Sequence, residues 1–382
     1  MSKPQMTSKE RMLVAMSKGK PDMVPVAPDM SNMIPCRLTR KPFWDIYYYN
    51  DPPLWRAYLD AVRYFGCDGW HIYGYVAPIT KDNQVAWDRE VVSRTPDRFT
   101  VRNVCHTPAG DLWSETTYYI ADPPTVTRGW IKDLRDDLPK LRYMFPQVTG
   151  YDRTPLDEQL QAAGDDAAVC CGIGVPGLHE LHTWFDGGHI GAVYAMNDYP
   201  DEFDELIAMQ QNRCLRIAEM SIDAKPDFFM LGASGLWTLQ SPEVFRKYSL
   251  PVIKKTTRMA KEAGIPSFLH SCGKQRELVE ILVNETDLDC INPLEIPPMG
   301  DCDLAELKRT YGLRIAMMGN IHTTDVMLRG TPDDVRRAAR ECIDAAAEGG
   351  GFILSTGDQC GRDTPDENIF ALVQTAREYG RY

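Results

Sequence analysis

The feature that most constrains the fold is an alternation of short apolar runs with amphipathic helices along most of the chain. Buried runs of about four to eight residues separated by helices are typical of a parallel sheet. Eight such units over about 250 residues or more predict an α/β fold of the (β/α)8 (TIM) barrel class. The eight candidate strands are residues 23–29, 69–75, 167–174, 227–232, 266–271, 289–295, 314–320 and 351–357.

Helix starts support the same alternation. Thr7 and Glu10 form a T-x-x-E capping box, and Ser241, Thr331 and Thr364 each precede a proline and acidic residues, which predicts an N-cap at each. The alternative fold is an open doubly wound sheet. No strand is followed by a glycine-rich dinucleotide loop, and this favours the barrel.

One segment interrupts the pattern. Residues 85–121 alternate polar residues with β-branched or aromatic ones and contain Pro-Asp and Ala-Gly-Asp turn signals. This pattern predicts antiparallel β-hairpins inserted into the barrel. No linker or low-complexity tract is visible, so residues 1–382 are expected to form a single domain.

Composition excludes several classes of protein. The 382 residues are 43% hydrophobic and 25% charged, an ordinary globular composition. A formal net charge of -12 without a Lys/Arg run argues against binding nucleic acid. No stretch approaches about 18 consecutive apolar residues, and the N-terminus lacks a signal-peptide core, so neither a membrane span nor export is expected. We therefore expect a cytoplasmic protein whose 11 cysteines are reduced.

Four residues with metal-binding side chains fall at or just after predicted strands. His270 and Cys272 end the fifth strand, Glu295 ends the sixth, and Cys360 follows the eighth. Active sites of such barrels form where the C-terminal ends of the strands meet, so these groups could surround one ion. Thiolates with imidazole favour zinc. Core packing is the alternative for each residue alone, and a salt bridge or a ligand contact is the alternative for Glu295.

Four further residues are predicted to contact a substrate. Tyr75 ends the second predicted strand, and His322 follows the seventh. His182 belongs to an H-E-L-H segment that lacks metal-ligand spacing. Trp237 could stack on an aromatic substrate. The aromatic-rich N-terminal segment is a second candidate for such stacking, and it contains Phe43, Trp44, Tyr47, Tyr48, Tyr49 and Trp55.

Several segments resemble the uroporphyrinogen decarboxylase superfamily, most strongly from Gly232 onward. They include "GKPDMVPV", "TLQSPEVFRKYSLPVIKKT", "FLHSCGK" and "RGTPDDVRRAARECIDAAAEGGGFILSTGDQCGRDTPDENIFALVQTAREYG". The H-x-C pair and the late cysteine are similar to its zinc- and corrinoid-dependent methyltransferase branch. That branch resembles methylcobalamin:coenzyme M methyltransferases and the methyltransferases of aryl-ether O-demethylation. By this resemblance His270, Cys272 and Cys360 correspond to zinc ligands, and Glu295 corresponds to an exchangeable fourth ligand.

The resemblance implies a zinc-dependent methyltransferase. It would move a methyl group between a small substrate, by preference a methoxylated aromatic, and the cobalt of a corrinoid (cobalamin) carried by a separate protein. Two alternatives stay open: a methylcobalamin:thiol methyltransferase, and a lyase of the uroporphyrinogen decarboxylase type. The N-terminal region carries Arg37, Arg40 and Lys41 but not the expected decarboxylase pattern, and this disfavours the lyase.

Overall fold

The computed structural model of the chain describes residues 6–382. The strands in this range are β1 (Gly69–His71), β2 (Ala77–Lys81), β3 (Ala86–Arg94), β4 (Arg98–Thr107), β5 (Gly110–Tyr119), β6 (Thr125–Arg128), β7 (Gln147–Asp152), β8 (Ala167–Gly174), β9 (Phe228–Gly232), β10 (Ser267–His270), β11 (Cys290–Asn292), β12 (Ala316–Ile321) and β13 (Phe352–Thr356). The α-helices are α1 (Ser8–Met16), α2 (Met33–Thr39), α3 (Phe43–Tyr47), α4 (Leu54–Phe65), α5 (Leu134–Leu141), α6 (Thr154–Ala163), α7 (Gly188–Asp198), α8 (Pro200–Asp223), α9 (Pro242–Val244), α10 (Leu250–Glu262), α11 (Arg276–Glu285), α12 (Leu304–Tyr311), α13 (Pro332–Ala346) and α14 (Asp366–Tyr379).

Seven parallel strands form the barrel wall in the order β1-β8-β9-β10-β11-β12-β13. Each pair of neighbouring strands is connected by one or more helices, because parallel strands need a crossover connection. Seven of the eight predicted strands are present, and most are one to four residues shorter than the apolar run that predicted them. The predicted barrel fold is confirmed.

The eighth position is held by an irregular segment rather than by a strand. Residues 23–29 form only isolated bridges, one of which pairs Val26 with Leu354 in parallel. The amide of Leu354 donates to the carbonyl of Pro25, and the amide of Asp68, just before β1, donates to the carbonyl of Val26. The segment therefore closes the barrel between β13 and β1. Its prolines lack the N–H groups that a regular ladder needs.

Side chains along each strand point alternately into the barrel interior and into the layer beneath the helices. In β8, Ala168 and Cys170 belong to the interior cluster, while Val169 and Cys171 pack toward the helices. The interior cluster also contains Met12 and its neighbours Ala15 and Met16 from α1. Helix α1 thus closes the N-terminal end of the barrel, and the opposite end, at the C-terminal ends of the strands, is left for loops.

The predicted insertion is larger than its sequence signal. Strands β3, β4, β5 and β6 form a four-stranded antiparallel sheet that extends to Arg128, past the predicted end at residue 121. A second antiparallel pair, β2 and β7, flanks it, so the whole region between β1 and α6 departs from the βα pattern. β-Rich structure was predicted correctly here, but its limits were not.

The N-terminal aromatic residues pack against this inserted sheet. Tyr48 lies edge-on to Phe99 and Tyr118, with ring centroids 5.1 Å apart in both cases, and Trp44 lies 5.6 Å from Phe99. Phe43 is buried in a small cluster of its own. The expectation that this segment stacks on an aryl substrate is therefore wrong for these rings, since their partners are protein side chains.

Three of the four predicted helix caps are confirmed. The capping box of Thr7 and Glu10 is formed, and the side chains of Ser241 and Thr331 accept from the amides that open their helices. Thr364 is the exception. The N-cap position there is Pro365, and the buried Thr364 hydroxyl has no hydrogen-bond partner.

Two further findings concern the chain as a whole. All eleven cysteines, each within the described residues, are free thiols, as predicted. Across residues 6–382, no helix combines the length and the apolar character needed to cross a membrane.

Candidate metal and substrate site at the barrel mouth

The four predicted metal ligands all lie at the C-terminal rim of the barrel. His270 is the last residue of β10, and Cys272 follows two residues later. Glu295 lies three residues beyond β11, and Cys360 lies four beyond β13. Because all these strands are parallel, their C-terminal ends share one rim, and the predicted placement is confirmed.

The ring of His270 is oriented by the neighbouring strand. His270 and Asn292 are register partners of β10 and β11, and His270 Nδ1 lies 3.0 Å from Asn292 Oδ1. This bond occupies Nδ1, so Nε2 is the ring nitrogen left for a ligand. Histidines that bind metals are commonly fixed in this way by a polar group behind the ring.

Opposing effects set the charge state of His270. Burial lowers its pKa, but a hydrogen bond with Cys272 and the carboxylates of Asp29 and Asp358 together raise it to about 9. These groups therefore lie close enough to stabilise a positive charge at His270. The same surroundings favour a cation of any kind at this point.

Glu295 is held on the same side of the rim by the loop that follows β10. Its Oε2 accepts a hydrogen bond from the amide of Gly273, and its pKa is raised by burial. Gly273 has a φ of +91°, and a Cβ there would lie 2.1 Å from Thr238 Oγ1. Glycine is therefore needed at this position, which lets the backbone N–H face the carboxylate.

Cys360 is buried beneath the loop that follows β13. Its amide donates to the carbonyl of Asp29 at 2.8 Å, and burial raises the pKa of its thiol to about 12. Asp29 and Asp358 influence both Cys360 and His270 electrostatically. The same two carboxylates thus link the β10 and β13 sides of the rim.

The donor chemistry fits a zinc ion, because it offers one imidazole, two thiols and a carboxylate at one rim. His270 in particular is oriented by Asn292 as a ligand would be. Within residues 6–382, however, no group of three or more His, Cys, Asp or Glu side chains is arranged as a metal site. Ligation by these four residues therefore stays a prediction.

A cavity of about 340 Å³ opens beside His270 and Cys272. Its apolar lining comes from Trp70, Ile72 and Met230, which belong to or pack against the interior cluster. The rest of the lining is polar and consists of Asp29, Ser31, Asn32, Ser234, His270, Cys272, Asp358 and Gln359. The cavity thus places an apolar surface next to potential metal ligands.

Larger grooves lie elsewhere. A groove of about 650 Å³ is lined by described residues that include His322, Cys302 and Cys342, but by none of the four predicted ligands. Another, of about 620 Å³, is lined by Arg142, Arg213 and Arg216 together with parts of β7 and α8. Two of these arginines are paired with glutamates on α8. None of the four predicted ligands is among the described residues that line it, so we place the functional site in the smaller cavity.

The four predicted substrate contacts have different outcomes. His322 lines a small recess that it shares with Glu295. Tyr75 is 53% exposed, His182 Nδ1 bonds to the carbonyl of His179, and the ring of Trp237 packs edge-on against Phe245. These last three are not among the described residues that line the His270 cavity. Their contact with a substrate stays a prediction without geometric support.

Sequence reasoning missed three residues of the cavity. Asp29 is the last residue of the segment that closes the barrel, so the rule that selected His270, a polar residue at a strand end, would also have selected Asp29. Asp358 lies between β13 and Cys360 and was passed over as part of a loop. Trp70 lies inside β1 and reads as a core residue, and no pattern in the sequence distinguishes its role.

Fold and site together define the class of this protein: a (β/α)8 barrel with imidazole, thiol and carboxylate groups gathered at the mouth. Residues 187–379, half of the chain, match the family model for uroporphyrinogen decarboxylase (URO-D). The chain belongs to the uroporphyrinogen decarboxylase family.

Individual similar proteins are more distant. A methylated-thiol–coenzyme M methyltransferase of Methanosarcina mazei is 29% identical over 39% of this chain and 37% of its own length. A methylcobamide:CoM methyltransferase MtbA of Methanosarcina acetivorans is 27% identical over 52% and 53%, respectively. A uroporphyrinogen decarboxylase of Coxiella burnetii is 23% identical over 47% and 48%. The chain therefore spans about half or less of the length of these relatives.

A solved structure, a methyltransferase from Methanosarcina mazei, matches the fold along nearly the whole chain. It covers 98% of this chain and 99% of its own, with a TM-score of 0.65 and 17% sequence identity. At that identity the likeness establishes the barrel architecture alone.

Proposed function

We propose that this protein is a zinc-dependent methyltransferase that moves a methyl group between a small substrate and the cobalt of a corrinoid held by a separate protein. The observation that carries the proposal is the cavity beside His270 and Cys272, at the same barrel rim where Glu295 and Cys360 lie. The names of the methyltransferase relatives support the same reaction class.

His270, Cys272 and Cys360 would hold the metal, and Glu295 would be the ligand that yields to substrate. Zinc would supply Lewis acidity, which lowers the basicity of a departing oxygen or the pKa of a thiol. Asn292 would keep the His270 ring in place. The Gly273 amide would hold the Glu295 carboxylate at the rim.

Charge and shape of the cavity favour a neutral methoxylated aromatic as the methyl donor. Asp29 and Asp358 lie in the lining, and among the described residues of that lining there is neither Lys nor Arg. A thiol bearing a sulfonate, such as coenzyme M, would meet carboxylates without a compensating cation. An aryl group would instead pack against Trp70 and Met230.

A thiol methyltransferase is the second candidate, and the names of the relatives are the observation that favours it. The same ligand set suits a thiol acceptor that takes a methyl group from methylcobalamin. In both directions the corrinoid would approach the open mouth of the barrel, because the chain carries no usable corrinoid-binding motif of its own.

The test is a zinc assay on the purified protein combined with a methyl-transfer screen. Methoxyaromatics, methanol and methylamines would be offered with cob(I)alamin, and thiols with methylcobalamin. We expect about one zinc per chain, which is the number that a single site holds, and turnover of methoxyaromatics. Turnover of thiols alone would establish the second candidate. Turnover by metal-free protein would refute the metal site.

Glu295→Gln separates a catalytic zinc from a structural one. Structural zinc sites are closed by four firm protein ligands, whereas catalytic sites keep one position open. A catalytic site should keep its zinc in this variant and show altered turnover. Loss of zinc together with unfolding would mean that the ion only holds the barrel loops together.

A further inference from the structure

His322 has a tautomer fixed by the backbone. Its Nδ1 accepts from the amides of Thr324, at 3.2 Å, and Asp325, at 3.0 Å, and so caps the π-helical turn Thr323–Leu328. A ring nitrogen that accepts two hydrogen bonds carries no proton, so the proton of the ring resides on Nε2. His322 is therefore a hydrogen-bond donor at Nε2.

That donor has no acceptor among the described residues. Nε2 is buried and makes no hydrogen bond, and Asp325 Oδ2 lies 3.8 Å away, beyond hydrogen-bonding distance. A buried N–H without an acceptor is costly and calls for an explanation. An acceptor that arrives during the reaction is one explanation.

Glu295 is the acceptor that the recess beside His322 offers. The recess beside His322 is lined by Glu295, Asn320 and Gly357, together with Ile296, Met299 and Thr323. The Asn320 side chain is already engaged at both ends: its Nδ2 donates to the carbonyl of Leu294, and its Oδ1 accepts from the thiol of Cys342 at 3.6 Å. Within the described lining, Glu295 alone bears a carboxylate, and its Oε2 rests on the Gly273 amide.

We infer that His322 is a positioning residue for Glu295. Its Nε2–H receives the carboxylate when substrate displaces Glu295 from the metal, so Glu295 exchanges between two donors, the Gly273 amide at the rim and His322 in the recess. This inference rests on the proposed function, because it gives the displaced ligand a place to go.

His322→Asn is the main test variant. Asparagine is a good helix cap and preserves the hydrogen bonds to Thr324 and Asp325, but its side chain is too short to reach the recess. Loss of one hydrogen bond to a carboxylate predicts about tenfold weaker binding of a phenol product to the zinc protein, measured by calorimetry. Zinc should leave the variant more slowly in a chelator, because Glu295 stays on the metal. His322→Gln, which restores a donor of similar reach, should recover most of the phenol affinity.

Two outcomes overturn the inference. The first is wild-type and His322→Asn proteins that bind zinc and phenol equally. The second is an Nδ1–H tautomer of His322 in ¹⁵N-histidine NMR spectra of the metal-free protein. The tautomer measurement uses wild-type protein, so it tests the inference even if His322→Asn fails to fold. A wild-type protein that binds no zinc refutes the proposed function instead, so the two failures are distinguishable.

Discussion

The later barrel strands and the inserted sheet place polar residues in opposite surroundings. In β9 to β13 nearly every residue is buried, and the polar side chains of the site stand at or beyond the strand ends. In β3 all nine residues are exposed. A histidine that ends a buried strand needs an explanation, whereas one in the inserted sheet does not. The family model also matches the first region and not the second.

Cys272 and Cys342 provide the largest contrast that this comparison predicts. Both thiols are partly exposed and both lie in the C-terminal half, but only Cys272 lines the His270 cavity. Cys272→Ser should lose zinc and reduce methyl transfer by more than the roughly 10- to 100-fold that changes behind a metal ligand cost. Cys342→Ser should retain both. Equal loss in the two variants, measured by zinc content and initial rate, would break the comparison.

The next largest predicted effect is a loss of stability on breaking the ion pairs that tie the barrel and the inserted sheet to neighbouring elements. Asp68, just before β1, is fully buried and accepts from Arg11 and Arg377, which join the N-terminal and C-terminal helices α1 and α14. Asp68→Ala removes the buried carboxylate that Arg11 and Arg377 share. It should cost about 3 kcal/mol of unfolding free energy, the lower end of the range for a broken buried pair, because Arg11 keeps its ion pair with Asp22. Urea unfolding measures this loss.

Arg128 is the matched control on the inserted sheet. It forms a two-pronged ion pair with Asp186, in the loop after β8, but the Arg128 side chain is about half exposed, whereas Asp68 is fully buried. Arg128→Ala should change the unfolding free energy far less than Asp68→Ala, because water screens exposed pairs. A comparable loss would mean that the inserted sheet is as firmly tied into the fold as the barrel helices are.

The burial contrast also explains what the sequence could predict. His270, Cys272, Glu295 and Cys360 were found because each interrupts or follows an apolar run, and a parallel barrel carries such positions to one rim. Trp70 could not be found in this way, since an aromatic residue in an apolar run reads as core. The aromatic residues near Trp44 were misassigned for a related reason. The N-terminal segment supplies the rings that pack on the inserted sheet, but nothing in the sequence of that segment indicates that the sheet is its packing partner.

Two similar helix starts predict a smaller effect within the barrel. Thr331 and Thr364 both precede Pro-Asp, but only the Thr331 hydroxyl accepts a hydrogen bond from its helix. Thr331→Ala should cost about 1 kcal/mol. Thr364→Val should leave stability unchanged or raised, because its buried hydroxyl has no partner to lose. If thermal unfolding showed that Thr364→Val is destabilised, the result would support the predicted N-cap at Thr364 instead.

The smallest predicted effect belongs to the inserted sheet and depends on pH. His106 on β4 lies between Asp111, 2.9 Å from Nδ1, and Asp88, 3.0 Å from Nε2, and hydrogen bonds with these carboxylates raise its pKa. A raised pKa in the folded state gives stability that is complete below the unfolded value of about 6.5 and is lost as pH rises through the folded value. The hydrogen-exchange rates of the β3–β5 amides should therefore rise across that pH interval by more than their intrinsic pH dependence explains. His106→Gln should abolish this additional rise. Because the three side chains are exposed, salt should weaken the effect. If the additional rise persists in His106→Gln, another titrating group is responsible for it.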